Sequence, residues 1–205
     1  MKRFFLVIYA ILTLFLSSAC TTASDSQRRF NELASESRWQ PDRVLDTLAI
    51  AKGSAIGDLG AGGGYYTYRL AEITGPEGIV IAADINPEFI ANIKKEARTR
   101  GLNHVEAVVS TADDSKFDDA SLDLIFFRNT FHHIDNKGDY LRRLATKLRP
   151  GGRIALIDYR EDASILLLWH NVSRDEILES VNQSGLTVAR EYDFLEGQYF
   201  FILQK

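Results

Sequence analysis

Ala55-Ile56-Gly57-Asp58-Leu59-Gly60-Ala61-Gly62-Gly63-Gly64-Tyr65-Tyr66-Thr67 reads as a short apolar strand, a glycine-rich turn and the start of a helix. Glycine suits the turn for two reasons: the backbone must reverse sharply, and a ligand must approach it without meeting a Cβ atom. In open α/β sheets this place, at the carboxyl end of the first strand, is where ligands bind. A glycine loop alone is equally a tight turn, so its companions decide. Asp58 stands just before the loop, and Asp84 ends the next strand candidate, where a carboxylate can accept hydrogen bonds from both hydroxyls of a ribose. The alternative for Asp84 is a helix cap. The dinucleotide fingerprint needs glycine at the first, third and sixth loop positions, and the sixth here is Tyr65. Gly60, Gly62 and Gly64 instead occupy the first, third and fifth.

On either side of this unit, apolar runs and punctuation alternate strand with helix, the pattern of a mainly parallel sheet covered on both faces. The strand candidates are Ala55 to Leu59, Ile79 to Asp84, Val105 to Val109, Leu122 to Arg128 and Arg153 to Tyr159. Helices are expected over Asp42 to Leu48 and from the glycine loop through Tyr66 to Ile73. Another is expected after Asn86-Pro87, with Phe89, Ile90 and Ile93 on one face and its end at Gly101. Tyr140, Leu141, Leu144 and Leu148 mark a helix that Pro150-Gly151-Gly152 terminates. Ser173 and Glu176 form a capping box for the last helix, which ends near Gly185. Leu186 to Tyr192 and Tyr199 to Leu203 are β-rich and joined by Glu196-Gly197, which predicts a terminal hairpin.

Asp58-x-Gly60-x-Gly62-x-Gly64, with Asp84 at the second strand end and Pro150-Gly151-Gly152 before the fifth strand, resembles the class I S-adenosylmethionine-dependent methyltransferase pattern from about Trp39 to Lys205. The resemblance implies a three-layer α/β sandwich with a seven-stranded, mostly parallel sheet in the order 3-2-1-4-5-7-6. It also implies S-adenosylmethionine as cofactor, with its methionine part over Gly60, Ala61, Gly62 and Gly64 and its ribose on Asp84 beside Ile85. Asp58 joins this set as the family's acidic residue before the loop. After the third strand many members carry an acidic residue against the adenine amino group. Alignment puts Thr111 there, so Asp113, ahead of Asp114, is expected to take the contact, the alternative being a solvated turn.

The fourth strand leads into Phe127-Arg128-Asn129-Thr130-Phe131-His132-His133-Ile134, which in this fold faces the cofactor sulfur and the acceptor. Asn129 is expected at the methionine end. His132 or His133 is the candidate general base, since imidazole titrates near neutrality; packing and capping are the competing roles. Trp39 is placed either as a lid or as a core plug, and His170 beside Trp169 reads as structural. Ile165-Leu166-Leu167-Leu168-Trp169 is either a buried short helix or one wall of an apolar acceptor site. Methyl transfer demands chiefly positioning, which can supply about 7 to 11 kcal/mol of a barrier. The sequence offers no metal cluster, no Ser-His-Asp set and no cysteine nucleophile for other chemistry.

A formal charge of -4 carries no electrostatic footprint for nucleic acid. The single cysteine, Cys20, excludes an intramolecular disulfide. Lys2 and Arg3 precede an apolar run from Phe4 to Leu16 and then Ser17, Ser18 and Ala19, the order of a secretory signal. That run is shorter than the ~20 residues a transmembrane helix needs. Leu16-Ser17-Ser18-Ala19-Cys20 resembles the lipobox of bacterial lipoproteins, with Ser17 where leucine is commoner. An ordinary cleaved signal or an uncleaved anchor are the alternatives. Because the positive charges come first, each places the folded domain outside the cytoplasm. The expected organisation is a signal peptide over residues 1–19, a lipidated cysteine with a flexible tether over residues 20–37, and a methyltransferase domain over residues 38–205.

Three functions follow as alternatives. The first is methyl transfer to a small acceptor, with an apolar one suggested by the Ile165 to Trp169 stretch, by an enzyme lipid-anchored at the cell envelope. The second is a noncatalytic envelope protein that retains the fold for binding, favoured by export away from the cytoplasmic cofactor supply. A nicotinamide-dependent oxidoreductase is disfavoured by Tyr65 and by the terminal hairpin. Alanine at Asp113 is expected to weaken cofactor binding several-fold through loss of a charge-assisted hydrogen bond, measured by calorimetric titration. An unchanged affinity would remove Asp113 from the site.

Overall fold

Strand β1 (Ala55–Leu59) is buried at every position, as a central strand covered on both faces must be. It pairs in parallel with β2 (Ile79–Asp84) on one side and with β4 (Leu122–Arg128) on the other. Strand β3 (Val105–Val109) adds to β2, and β5 (Leu148–Tyr159) adds to β4, both in parallel. The antiparallel pair β6 (Thr187–Tyr192) and β7 (Gln198–Gln204) completes the sheet, with β7 against β5. The order is β3-β2-β1-β4-β5-β7-β6 across seven strands, as expected. This computed structural model describes residues 23–161 and 171–205. Cys20 with its leader, the apolar stretch Ile165 to Trp169 and His170 therefore lie outside the described residues.

Six helices are described: α1 (Ala23–Ser35), α2 (Pro41–Thr47), α3 (Tyr65–Thr74), α4 (Pro87–Thr99), α5 (Lys137–Lys147) and α6 (Arg174–Ser184). Successive strand residues point to opposite faces, so each central strand feeds two cores. Phe127, Leu156 and Phe201 meet Leu141 and Leu144 of α5 and Ile177 and Val181 of α6. Their neighbours Phe126, Ile157 and Phe200 meet Val44 and Leu45 of α2 and Leu70 of α3. Ile90, Ile93 and Ala97 of α4 close over Ala82 and Ala107 at the β2–β3 end. The expected caps are present: Asn86 accepts from the amides of Glu88 and Phe89, and Ser173 accepts from that of Glu176.

Two expectations are corrected. Pro150-Gly151-Gly152 does not lie between helix and strand, because β5 already starts at Leu148 and carries the turn within it. A Cβ on Gly152 would stand 2.9 Å from the Leu122 carbonyl oxygen, so glycine lets the two backbones close up where the β4–β5 register shifts. The second correction concerns the flexible tether. Residues 23–35 form helix α1, which packs on α3 and α4. Its few large apolar residues concealed this, because its docking relies on polar side chains: Gln27 is buried and hydrogen-bonds to the carbonyls of Gly62 and Phe89.

The glycine turn is anchored from below by Asp58. Its carboxylate is buried and accepts a hydrogen bond of 2.5 Å from the Thr67 hydroxyl, joining the end of β1 to the first turn of α3. Burial pushes this carboxyl from an ordinary 3.8 up to about 7, the nearby Asp84 charge adding to the rise and the Thr67 bond opposing it. From about pH 4 to 7 the unfolded chain has lost a proton that the folded chain keeps, so this group lowers stability as pH rises through the window. Asp58→Asn, which cannot titrate, is expected to remove that slope. Urea denaturation across the window should show wild-type stability declining relative to the variant; parallel curves would show that Asp58 is ionised in the fold throughout.

Candidate cofactor and acceptor site

The backbone of Gly60, Gly62 and Gly64 has φ of 76°, 53° and 84°, the left-handed region where a Cβ is penalised. At Gly60 a Cβ would also overlap the Thr130 side chain, so the loop and the β4 turn touch backbone to side chain. The amides of Gly60 and Ala61 donate to the Ala83 carbonyl at 2.8 and 3.1 Å, pinning the loop to the end of β2. Asp84 completes the clasp: one carboxylate oxygen accepts from the Gly62 amide at 2.8 Å and the other from the Asn86 amide at 2.9 Å. Each oxygen retains a further acceptor position, which is what a ribose diol requires. Ile85 beside it is 68% exposed, a large apolar side chain on the rim of the cleft.

Helix α1 supplies the wall that the sequence reading missed. Gln27 bonds to the loop carbonyl of Gly62 and is itself held by Asn92 Nδ2 at 2.6 Å. Asn31 Oδ1 accepts from the Tyr65 amide at 3.1 Å, acting as the N-terminal cap that Gly64 has no side chain to provide. An amide left buried without such a partner costs about 1 to 3 kcal/mol. Gly63, absent from the loop pattern, is bare for the same reason: its Cβ would fall 2.5 Å from the Gln27 carbonyl oxygen. Ala23 and Ser26 then face Ile85, Asn86 and Phe89 across an open groove. The available signal was Gln27, Asn31 and Ala34 at helical spacing on one face, without the apolar residues that normally advertise it.

The other sequence-derived residues divide clearly. Asp58 lies beneath the loop and reaches the cleft only through the turn it braces. On the loop after β3, Lys116 pairs with Asp114 and holds its carboxyl below the usual range through side-chain and backbone hydrogen bonds. Asp113 stands exposed there, without a hydrogen bond or ion pair among the described residues. Asn129 takes a left-handed φ of 52°, and its side-chain oxygen accepts from Gln198 Nε2 of β7 at 2.6 Å. Trp39 is the core plug of the two readings, 7% exposed and edge-on to Tyr159.

The two histidines separate as well. His132 Nδ1 lies 2.7 Å from Asp158 Oδ1, and the His132 amide donates to Asp158 Oδ2 at 3.0 Å. Both side chains are enclosed, 3% and 0% exposed. An imidazole bonded to a carboxylate through Nδ1 carries its basic lone pair on Nε2, in one fixed orientation. His133 is exposed and packs its ring 4.0 Å from that of His132. Asp158 escaped the sequence reading, although a carboxylate at the carboxyl end of a parallel strand was the available sign.

A family described as a methyltransferase domain matches residues 50–191. The ubiquinone/menaquinone biosynthesis C-methyltransferase UbiE of Idiomarina loihiensis is 28% identical over 125 residues, covering 60% of this chain and 50% of that protein. The chain thus spans about half the length of such relatives. In three dimensions it is similar to a SAM-dependent methyltransferase from Aquifex aeolicus, with a TM-score of 0.76 at 23% identity over 86% of this chain and 97% of that one. It is also similar to geranyl diphosphate C-methyltransferase of Streptomyces coelicolor A3(2), solved with S-adenosyl-L-homocysteine, with a TM-score of 0.66 at 16% identity over 80% of this chain and 76% of that one. A loop bare at Gly60, Gly62 and Gly64, clasped by a carboxylate suited to a ribose, fits the same nucleoside here. The chain belongs to the methyltransferase domain family, and S-adenosylmethionine is the cofactor that its glycine loop and Asp84 accommodate.

Proposed function

We propose that this chain transfers a methyl group from S-adenosylmethionine to a small, apolar acceptor, with a carbon of a quinol-like ring as the favoured nucleophile. The observation that carries the reading is the clasp of Asp84 on the bare glycine loop, since it builds a ribose acceptor beside an open backbone. The choice of acceptor is supported by relatives named as C-methyltransferases of ubiquinone and menaquinone biosynthesis. The bound cofactor supplies an electrophilic methyl group on a sulfonium. The chain's own contribution is positioning, together with removal of a proton: His132, oriented by Asp158, accepts it at Nε2 from the acceptor hydroxyl or the methylated ring carbon. His133 supports the ring from its exposed side.

The leader, with Lys2, Arg3 and Cys20, supports placement at the cell envelope facing the periplasm or exterior, with Cys20 carrying a lipid. Helix α1 begins at Ala23, three residues beyond Cys20. A lipid on that cysteine would hold the groove within about 10 Å of the bilayer surface, at about 3.3 to 3.6 Å per extended residue. An acceptor dissolved in the membrane matches that placement.

Calorimetric titration with S-adenosylhomocysteine and with NAD tests the cofactor assignment. Micromolar binding of the former and none of the latter is expected, and failure of S-adenosylhomocysteine to bind would remove the reading. For the chemistry, 1,4-naphthohydroquinone with a labelled methyl donor serves as assay. His132→Ala is expected to lower turnover by about 100-fold or more, the usual scale for a general base, with cofactor affinity retained. Asp158→Asn should follow it and His133→Ala should stay near wild type. Equal turnover in the two alanine variants would take the proton-accepting role away from His132.

A further inference from the structure

On the outer edge of the glycine loop, Gln27 of α1 is 6% exposed and engages both its donors and its oxygen with other elements. Its amide nitrogen donates to the carbonyls of Gly62 and Phe89, each at 3.1 Å, and its oxygen accepts from Asn92 Nδ2 at 2.6 Å. One of these partners belongs to the loop and two belong to α4. Asp84 spans the same pair of elements from the cleft side, since its oxygens accept from the Gly62 amide and from the amide of Asn86, the cap of α4. Gly62 is thus gripped twice, through its amide by Asp84 and through its carbonyl by Gln27. The spacing of loop and α4, which is the width of the clasp, depends on an inner tie and an outer one.

Asn31, one turn further along α1, adds a third tie by accepting from the Tyr65 amide where the loop becomes α3. What holds α1 itself is slight. Gln27 and Ala34 are its buried side chains, while Phe30 and Leu33 remain 46% and 36% exposed. Apolar burial supplies most docking energy, and each hydrogen bond adds little net, so a helix attached in this way belongs to the elements that open locally. Its first turn is nevertheless a wall: Ala23 and Ser26 face Ile85, Asn86 and Phe89 across a groove of about 610 Å³. A nucleoside lying in that groove beside Asp84 meets α1 on one side and the start of α4 on the other. Such a ligand favours the docked helix over the open one, which links the two equilibria reciprocally.

We propose that Gln27 and Asn31 are positioning residues for the nucleoside: they make α1 a hydrogen-bonded strap that sets the width of the Asp84 clasp, and docking of the strap and occupancy of the groove strengthen each other. Both side chains act through the glycine loop. The inference rests on the S-adenosylmethionine reading above and adds the element that keeps the cleft in its binding shape. Apparent affinity then follows the fraction of molecules in which α1 is docked.

The test combines calorimetric titration of S-adenosylhomocysteine with hydrogen exchange read by mass spectrometry, on the full chain and its Gln27→Ala, Asn31→Ala and Asn31→Asp variants. In the wild type without ligand, the amides of α1 are expected to exchange faster than those of α3, and saturating S-adenosylhomocysteine to slow them by about 10-fold along the whole helix. Gln27→Ala is expected to weaken S-adenosylhomocysteine by about 10-fold and Asn31→Ala by about 5-fold, the scale of one or two lost hydrogen bonds. Asn31→Asp, which keeps the accepting oxygen, should bind as the wild type does. Unchanged exchange in β1 and β4 reports that the sheet of each variant is intact. Wild-type α1 exchange that ignores the ligand would overturn the strap, and so would alanine variants that bind S-adenosylhomocysteine like the wild type. An Asn31→Asp variant no better than Asn31→Ala would remove Asn31 from it. Failure of the wild type to bind S-adenosylhomocysteine would instead overturn the cofactor reading, and the strap with it.

Discussion

Close approach of backbone to backbone at the glycine turn is the constraint on which the cleft is built. The amides of Gly60 and Ala61 reach the Ala83 carbonyl, and Gly62 reaches Asp84, so β1 and β2 are joined beyond their ladder by the loop itself. The same loop meets Thr130 from β4 on one side and Gln27 from α1 on the other. Side chains at these positions would hold the four elements apart. Glycine here therefore serves packing and ligand access together, and the left-handed φ values make the substitution costly even where space exists.

Two carboxylates, Asp58 buried and Asp84 only partly so, divide the work around that turn. Asp58 faces inward and ties β1 to α3 through Thr67, while Asp84 faces the cleft and ties the loop to the start of α4. The charge of Asp84 raises the inner carboxyl further, after burial has done most of it, so Asp58 ionises only at a cost. The outer carboxylate, hydrogen-bonded by two amides, is the one equipped to meet a ligand.

On the far side of the cleft the ends of β4, β5 and β7 bring together polar groups that are distant in sequence. Arg128 ends β4 with Asn129 and His132 just beyond it, Asp158 and Tyr159 end β5, and Gln198 opens β7. The parallel pairing of β4 with β5 delivers their carboxyl ends to one edge, and the antiparallel β7 delivers its amino end to the same edge. Fixed hydrogen bonds, such as that between Asp158 and His132, orient the polar groups gathered at this edge.

The sequence by itself determined the strand order, the glycine turn, the Asn86 and Ser173 caps and the terminal hairpin. The turn, the caps and the hairpin are written in local periodicity or in residues a few positions apart, whereas the strand order came from the resemblance to the methyltransferase family that the turn and its companions carry. It did not determine what crosses the turn from elsewhere. Helix α1 was illegible because it docks through Gln27 and Asn31, polar residues whose partners lie 35 and 34 positions away. Asp158 became the partner of His132 across 26 residues, and Gln198 that of Asn129 across 69. Apolar periodicity announces burial in advance, whereas a hydrogen bond between distant side chains exists only once the sheet has set their positions; the turn was therefore a property of the sequence, and the site around it a property of the fold.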